Sequence, residues 1–108
     1  MSTSPIITTG NDVAGRPIAE YLGVVRGIVV RTPNIGQAFV GGMRSIFGGN
    51  IIEYSRVCEA ARQEAFDLLV RHAVERGADA VIGMRYDATE FTNGATEVLA
   101  YGTAVKLG

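Results

Sequence analysis

Few side chains in this chain could do chemistry. Arg85 and Asp87 stand two apart in a β-like run, Glu90 and Glu97 flank Asn93-Gly94, and Arg44 follows a Gly41-Gly42 pair. Cys58 is the single cysteine and His72 the single histidine. Two facing carboxylates can hold a hard cation or share a proton. Thiolate and imidazole together take soft metals, usually with several ligands converging. Glycine-rich turns ahead of a helix, such as Gly41-Gly42-Met43-Arg44 and Gly48-Gly49-Asn50, can offer backbone N–H groups to an anion.

Spacing removes most of these options. Cys58 and His72 fall on one stripe of a long helical segment, fourteen residues apart, which is roughly 21 Å along the axis. They cannot share a metal within one copy of the chain. Cys58 reads as a small buried hydrophobe, and His72 as a group at the core edge near the helix C-terminus. The glycine-rich turns carry neither a P-loop lysine pattern nor a G-x-G-x-x-G after a strand, so they read as packing and turn glycines. Ser45 and Ser55 have no histidine near them in the pattern. No catalytic residue and no cofactor is assigned. The candidate ligand-binding residues are Arg44, Arg85, Asp87 and Glu97, and a cation would have only Glu90 and Glu97 to use.

The hairpin must position most of them. Asn93-Gly94 joins two β-rich runs, and both residues tolerate the positive φ of a type I′ turn. A two-residue loop pairs Thr92 with Ala95 and sets a register in which Ala80 faces Leu107, Ile82 faces Val105, Met84 faces Thr103, Tyr86 faces Tyr101 and Ala88 faces Leu99. That apolar face is expected to meet the long helix. The same register puts Glu90 opposite Glu97. It gives the second face Val81, Gly83, Arg85, Asp87 and Thr89 against Lys106, Ala104, Gly102, Ala100 and Val98. Such a smooth surface suits another layer better than water.

Upstream, Ser4–Thr9 reads as a short strand and Ile18–Arg31 as a long one. The long run is apolar on both parities, as in a strand covered on both faces. Gly23 and Gly27 in it mark a bulge or a close approach by another backbone. Asn34 to Phe47 has helical spacing interrupted by Gly41-Gly42. Ile51 to Arg76 is one long amphipathic helix ended by Gly77. The crossover makes the long strand parallel to the first hairpin strand, and the last strand inserts between them, antiparallel to both. The expectation is a single two-layer α+β domain over residues 1–108, with a mixed sheet and one long helix.

Bulk composition narrows the class further. The net charge is −1 with scattered cations, so no basic stripe marks a nucleic-acid surface. The first dozen residues do not read as a signal peptide, and no segment reads as membrane-spanning. One cysteine suits a reducing, cytoplasmic setting. With 47% hydrophobic residues and 14 glycines in 108 residues, the chain carries more apolar surface than a domain of this size can bury alone. Copies of itself are the simplest cover.

The run NIGQAFVGGMRSIFGGNIIEY (Asn34–Tyr54), the segment RGADAVIGMRYD, the strand YLGVVRGIVV and the closing YGTAVK resemble the YbjQ family of small bacterial proteins, often labelled heavy-metal-binding. The resemblance spans almost the whole chain. It implies a dodecin-like βαββ fold with an extra short N-terminal strand, and pentameric rings in which short strands join subunits. It implies no activity, because the family's function is uncharacterised. The functional expectation is therefore a cytoplasmic homo-oligomer that binds a small ligand or partner at subunit boundaries, without catalysis. The alternatives are an enzyme using Arg44, Asp87 and Glu97 around an inter-subunit cleft, and a carboxylate metal binder.

Overall fold

The computed structural model describes residues 4–31, 51–92 and 95–108. The segment read as a short helix around Asn34–Phe47, the Gly-Gly turns, Arg44 and the Asn93-Gly94 loop lie outside these residues.

The elements are β1 (Ile6–Ile7), β2 (Ile18–Arg31), α1 (Ile51–Glu75), β3 (Ala80–Thr92) and β4 (Ala95–Leu107). One four-stranded sheet has the order β1-β3-β4-β2, with β1 parallel to β3 and β4 antiparallel to both its neighbours. This is the two-layer α+β arrangement expected from the element order, with the last strand inserted between the two longest parallel ones. No helix among the described residues is long and apolar enough to cross a membrane.

The helix packs on one sheet face through small residues. Ala61, Ala65, Leu69 and Ala73, spaced four apart, are buried against Val25 and Val29 of β2, Val98, Ala100 and Ala104 of β4, and Val81 and Met84 of β3. The alanines bring the helix backbone close to the sheet. Gly27 answers them from β2: a Cβ there would collide with the Ala65 carbonyl oxygen and lie 2.6 Å from the Leu69 nitrogen. Gly102 is closed off similarly by Val81, whose Cγ1 would lie 2.6 Å from an added Cβ. Gly77 ends the helix at φ 74°, a left-handed value that glycine adopts without a Cβ clash. Cys58 is exposed, not buried as its place on the stripe suggested; Ala61, three residues on, is buried.

The two faces of β4 are the reverse of the expectation. The smooth row Val98, Ala100, Gly102 and Ala104 lies under the helix, where smallness permits close packing. Leu99, Tyr101, Thr103, Val105 and Leu107 lie on the far side. The cause is visible in β3. Thr92 pairs with Ala95 as a two-residue loop requires, but the register shifts between Glu90 and Thr92 and again between Ile82 and Arg85. Each shift inserts an extra residue on β3, a β-bulge. The second bulge, with Gly83 at φ 62°, splits one parity of β3 between two faces. Ala80 and Ile82 pack on the far side, while Met84 and Tyr86 turn toward the helix, with the Arg62 guanidinium 5.3 Å from the Tyr86 ring centroid.

The bulge also receives the N-terminal segment. Gly83 N–H donates to the Gly10 carbonyl (2.7 Å) and Met84 N–H to the Thr8 carbonyl (3.0 Å). From there the chain crosses the far face, where Val13 and Ile18 pack on Ala80, Ile82, Val105 and Leu107. β2 then has its own bulges, between Ile18 and Glu20 and between Tyr21 and Gly23, the second with Gly23 at φ 102°.

Candidate functional site: the open face of the sheet

Among the described residues, the N-terminal segment covers only one end of the far face, packing Val13 and Ile18 on it. Over the other end no described element lies, and alternation fixes what the strands present. β2 contributes Val24, Arg26, Ile28 and Val30. Their partners on β4 are Thr103, Tyr101, Leu99 and Glu97, and next to these on β3 come Arg85 opposite Tyr101, Asp87 opposite Leu99 and Thr89 opposite Glu97. The β2 residues are the most informative. Val24 is 59% exposed, Ile28 43% and Val30 42%, with Tyr101 beside them at 37%. Within one copy, β2 is covered on both faces only in part: Val25, Gly27 and Val29 are buried under the helix, with Leu22 half-buried beside them, and Ile18 is half-buried on the far side, while Val24, Ile28 and Val30 stand exposed.

Three of the four candidate ligand residues share this face. Arg85, Asp87 and Glu97 lie on successive rungs, and Arg44 lies outside the described residues. Arg85 is already committed: one guanidinium nitrogen donates to the Thr9 and Met84 carbonyls, both at 2.9 Å. It clasps the N-terminal segment to the β3 bulge. Asp87 accepts its neighbour's backbone N–H from Ala88 at 3.0 Å. Across the middle rung, Arg26 and Arg85 flank Tyr101, so the face carries cations in its centre, carboxylates toward the hairpin tip and aliphatic side chains along β2.

The opposed Glu90–Glu97 pair does not form. Glu97 pairs with Thr89 and Glu90 with Thr96, so the bulge at Phe91 leaves the two carboxylates on opposite faces. Among the described residues no group of three or more His, Cys, Asp or Glu side chains is placed to hold a metal. Cys58 and His72 remain far apart on α1. Among the described residues of this face no nucleophile is paired with a base; what the face offers is apolar area for a partner to bury, with charges of both signs beside it.

Sequence reading missed Arg26 and Tyr101 as members of this surface, although the apolar even parity of β2 was the signal for it. Asp79 was also passed over. Its Oδ2 accepts the Leu107 N–H at 2.9 Å and its Oδ1 lies 3.9 Å from the Lys106 ammonium, which pins the end of β4 to the start of β3.

Comparison with known proteins agrees with this architecture. Residues 5–108 match the family model YbjQ_1, described as "Putative heavy-metal-binding". A UPF0145 protein of Legionella pneumophila (strain Corby) is 55% identical over 100 residues, covering 93% of this chain and 95% of that protein. A UPF0145 protein of Chromobacterium violaceum is 52% identical over 107 residues, covering 99% and 92%. A crystal structure from Pediococcus pentosaceus, described as a protein with unknown function of the DUF74 family, superposes with a TM-score of 0.64 at 21% identity, over 98% of this chain and 100% of that one. That structure shows the same fold. With matches of this extent, the chain belongs to the YbjQ family.

Proposed function

We propose that this protein works as a homo-oligomer, a pentameric ring on the strength of the family resemblance, and binds a small ligand or partner where copies meet. The observation that carries the reading is the set Val24, Ile28, Val30 and Tyr101, exposed around Arg26 on one face of the sheet. Single exposed apolar residues need no explanation, but several grouped on one sheet face mark an interaction surface. Val24, Ile28 and Val30 lie on β2, a 14-residue edge strand. Long edges of this kind are normally blunted by proline, lysine or a covering segment, and β2 contains no proline or lysine. Charge favours a second copy as the cover, since each copy carries both signs on this face, in Arg26 and Arg85 and in Asp87 and Glu97. A cytoplasmic setting fits the lone exposed thiol.

The role is binding rather than catalysis. An enzyme built on Arg44, Asp87 and Glu97 gains only the shared placement of Asp87 and Glu97. Native mass spectrometry of protein purified from its own host tests the proposal by reporting stoichiometry and retained small molecules together. Five copies are expected. A chain that stays single at micromolar concentration overturns the reading.

A further inference from the structure

The outer edge of β2 is not bare along its whole length. In an antiparallel ladder the N–H and C=O groups of alternate residues point away from the partner strand. The Arg26 N–H is one of these, and it donates to His72 Nδ1 of α1 at 3.1 Å. One turn further along the helix, the Arg76 guanidinium donates to the Leu22 carbonyl at 2.9 Å. The register from Gly23 to Arg31 is regular, so Val24, Ile28 and Val30 also direct their backbone groups to this edge. His72 near the end of α1 and Arg76 just beyond it thus cap the first part of the edge, and among the described residues no side chain hydrogen-bonds the edge from Ile28 onward.

The two closures differ in chemistry. A guanidinium is always charged and always a donor, so the Arg76 closure does not respond to pH. An imidazole accepts only through a nitrogen that carries no proton, and histidine is the side chain whose charge ordinarily changes between about pH 5 and 8. Because Nδ1 accepts from Arg26, the neutral ring holds its proton on Nε2. An imidazolium has no acceptor left, and its Nδ1–H would confront the Arg26 N–H.

We infer that His72 is a proton-operated seal on the β2 edge, closed when the ring is neutral and released when it is protonated. His72 lies in an open groove of about 330 Å³ between β2 and α1, lined by Arg26, Ile28, Leu68, Arg71 and Glu75. Arg71 and Glu75 neighbour it on its own helix and Arg76 donates to the Leu22 carbonyl nearby, while the Arg26 side chain alternates to the opposite face of the sheet and only its N–H meets the ring. Protonation therefore acts through the lost acceptor. The released Arg26 N–H extends the unpaired edge toward the strand's middle, where an incoming strand could pair with it. Any effect on assembly depends on the preceding reading, that copies meet on this side of the molecule.

The single histidine makes the test clean. The full-length chain is titrated from pH 8 to pH 5 by NMR, following the His72 ring protons and the protection factor of the Arg26 amide, corrected for intrinsic exchange. Protection is expected to fall about tenfold with the same midpoint as the ring. His72→Gln, which keeps an acceptor oxygen but cannot titrate, should hold protection constant across the range. His72→Ala should show low protection throughout. An Arg26 amide whose protection does not change as the ring titrates overturns the inference, as does His72→Ala with parental protection. Oligomer mass, read on the same samples, reports separately on the proposed assembly, so failure of one reading is not mistaken for failure of the other.

Discussion

Gly27 of β2 lies against Ala65 of α1 so closely that no side chain fits between them. The obstacle is helix backbone rather than the end of a flexible side chain, so it cannot move aside locally. Gly27→Ala should therefore destabilise the fold by about 1–3 kcal/mol, the usual cost of overpacking. The gain from replacing a flexible glycine in a strand, under about 1 kcal/mol, does not offset this. Urea unfolding of the parent and the variant measures the difference; equal midpoints would contradict the packing described.

The aliphatic strip on β2 gives the second prediction. Val24→Asp combined with Ile28→Asp places two charges on positions that are 59% and 43% exposed. A single copy can hydrate both. An interface between copies would have to bury them unpaired, at several kcal/mol. Light scattering should show the double variant at the mass of one chain while the parent is larger. A variant that assembles like the parent would place the interface elsewhere.

Arg85 should matter to the N-terminal segment rather than to the sheet. Its guanidinium spans the Thr9 and Met84 carbonyls, and removing a charged donor from two partly solvated acceptors should cost about 1 kcal/mol. In Arg85→Ala, hydrogen exchange should quicken at the Thr8 and Gly83 amides, whose bonds knit this segment to the bulge, and stay unchanged at Val25 and Ala100. Uniform quickening would show that the effect is global and not a local clasp.

The Arg31–Glu64 ion pair joins β2 to α1 at 2.9 Å, but its side chains are 36% and 52% exposed. Exposed pairs contribute about 0–1 kcal/mol and are screened by salt. Glu64→Ala should shift the unfolding midpoint slightly at low salt and by less in 1 M NaCl. A large, salt-independent loss would mean that Glu64 has another role.

Cys58 provides a simple check on the helix's orientation. It is exposed, so a thiol reagent such as Ellman's should modify one thiol per chain without denaturant. A thiol that reacts only after unfolding would restore the buried reading and rotate the start of α1.

The residue pattern was sufficient for the order of the described elements, the bounds of β2, the helix end at Gly77 and the insertion of β4 between β2 and β3. These follow from local periodicity, from turn chemistry and from the few ways a crossover can return to a sheet. Surplus apolar surface was legible too, because composition and chain length bound how much a domain can hide. The side of the sheet on which that surplus lies was decided only in three dimensions. A bulge adds one residue and reverses every side chain beyond it, and neither the Gly83 bulge nor the one at Phe91 has a signature strong enough to outweigh clean alternation. Hence the small row Val98–Ala104 went under the helix, Glu90 parted from Glu97, and Val24, Ile28 and Tyr101 came to form the open face. The meeting of His72 with the Arg26 amide is likewise a tertiary fact: the two are 46 residues apart in the chain, and only the packing of α1 across β2 brings an imidazole to a strand edge.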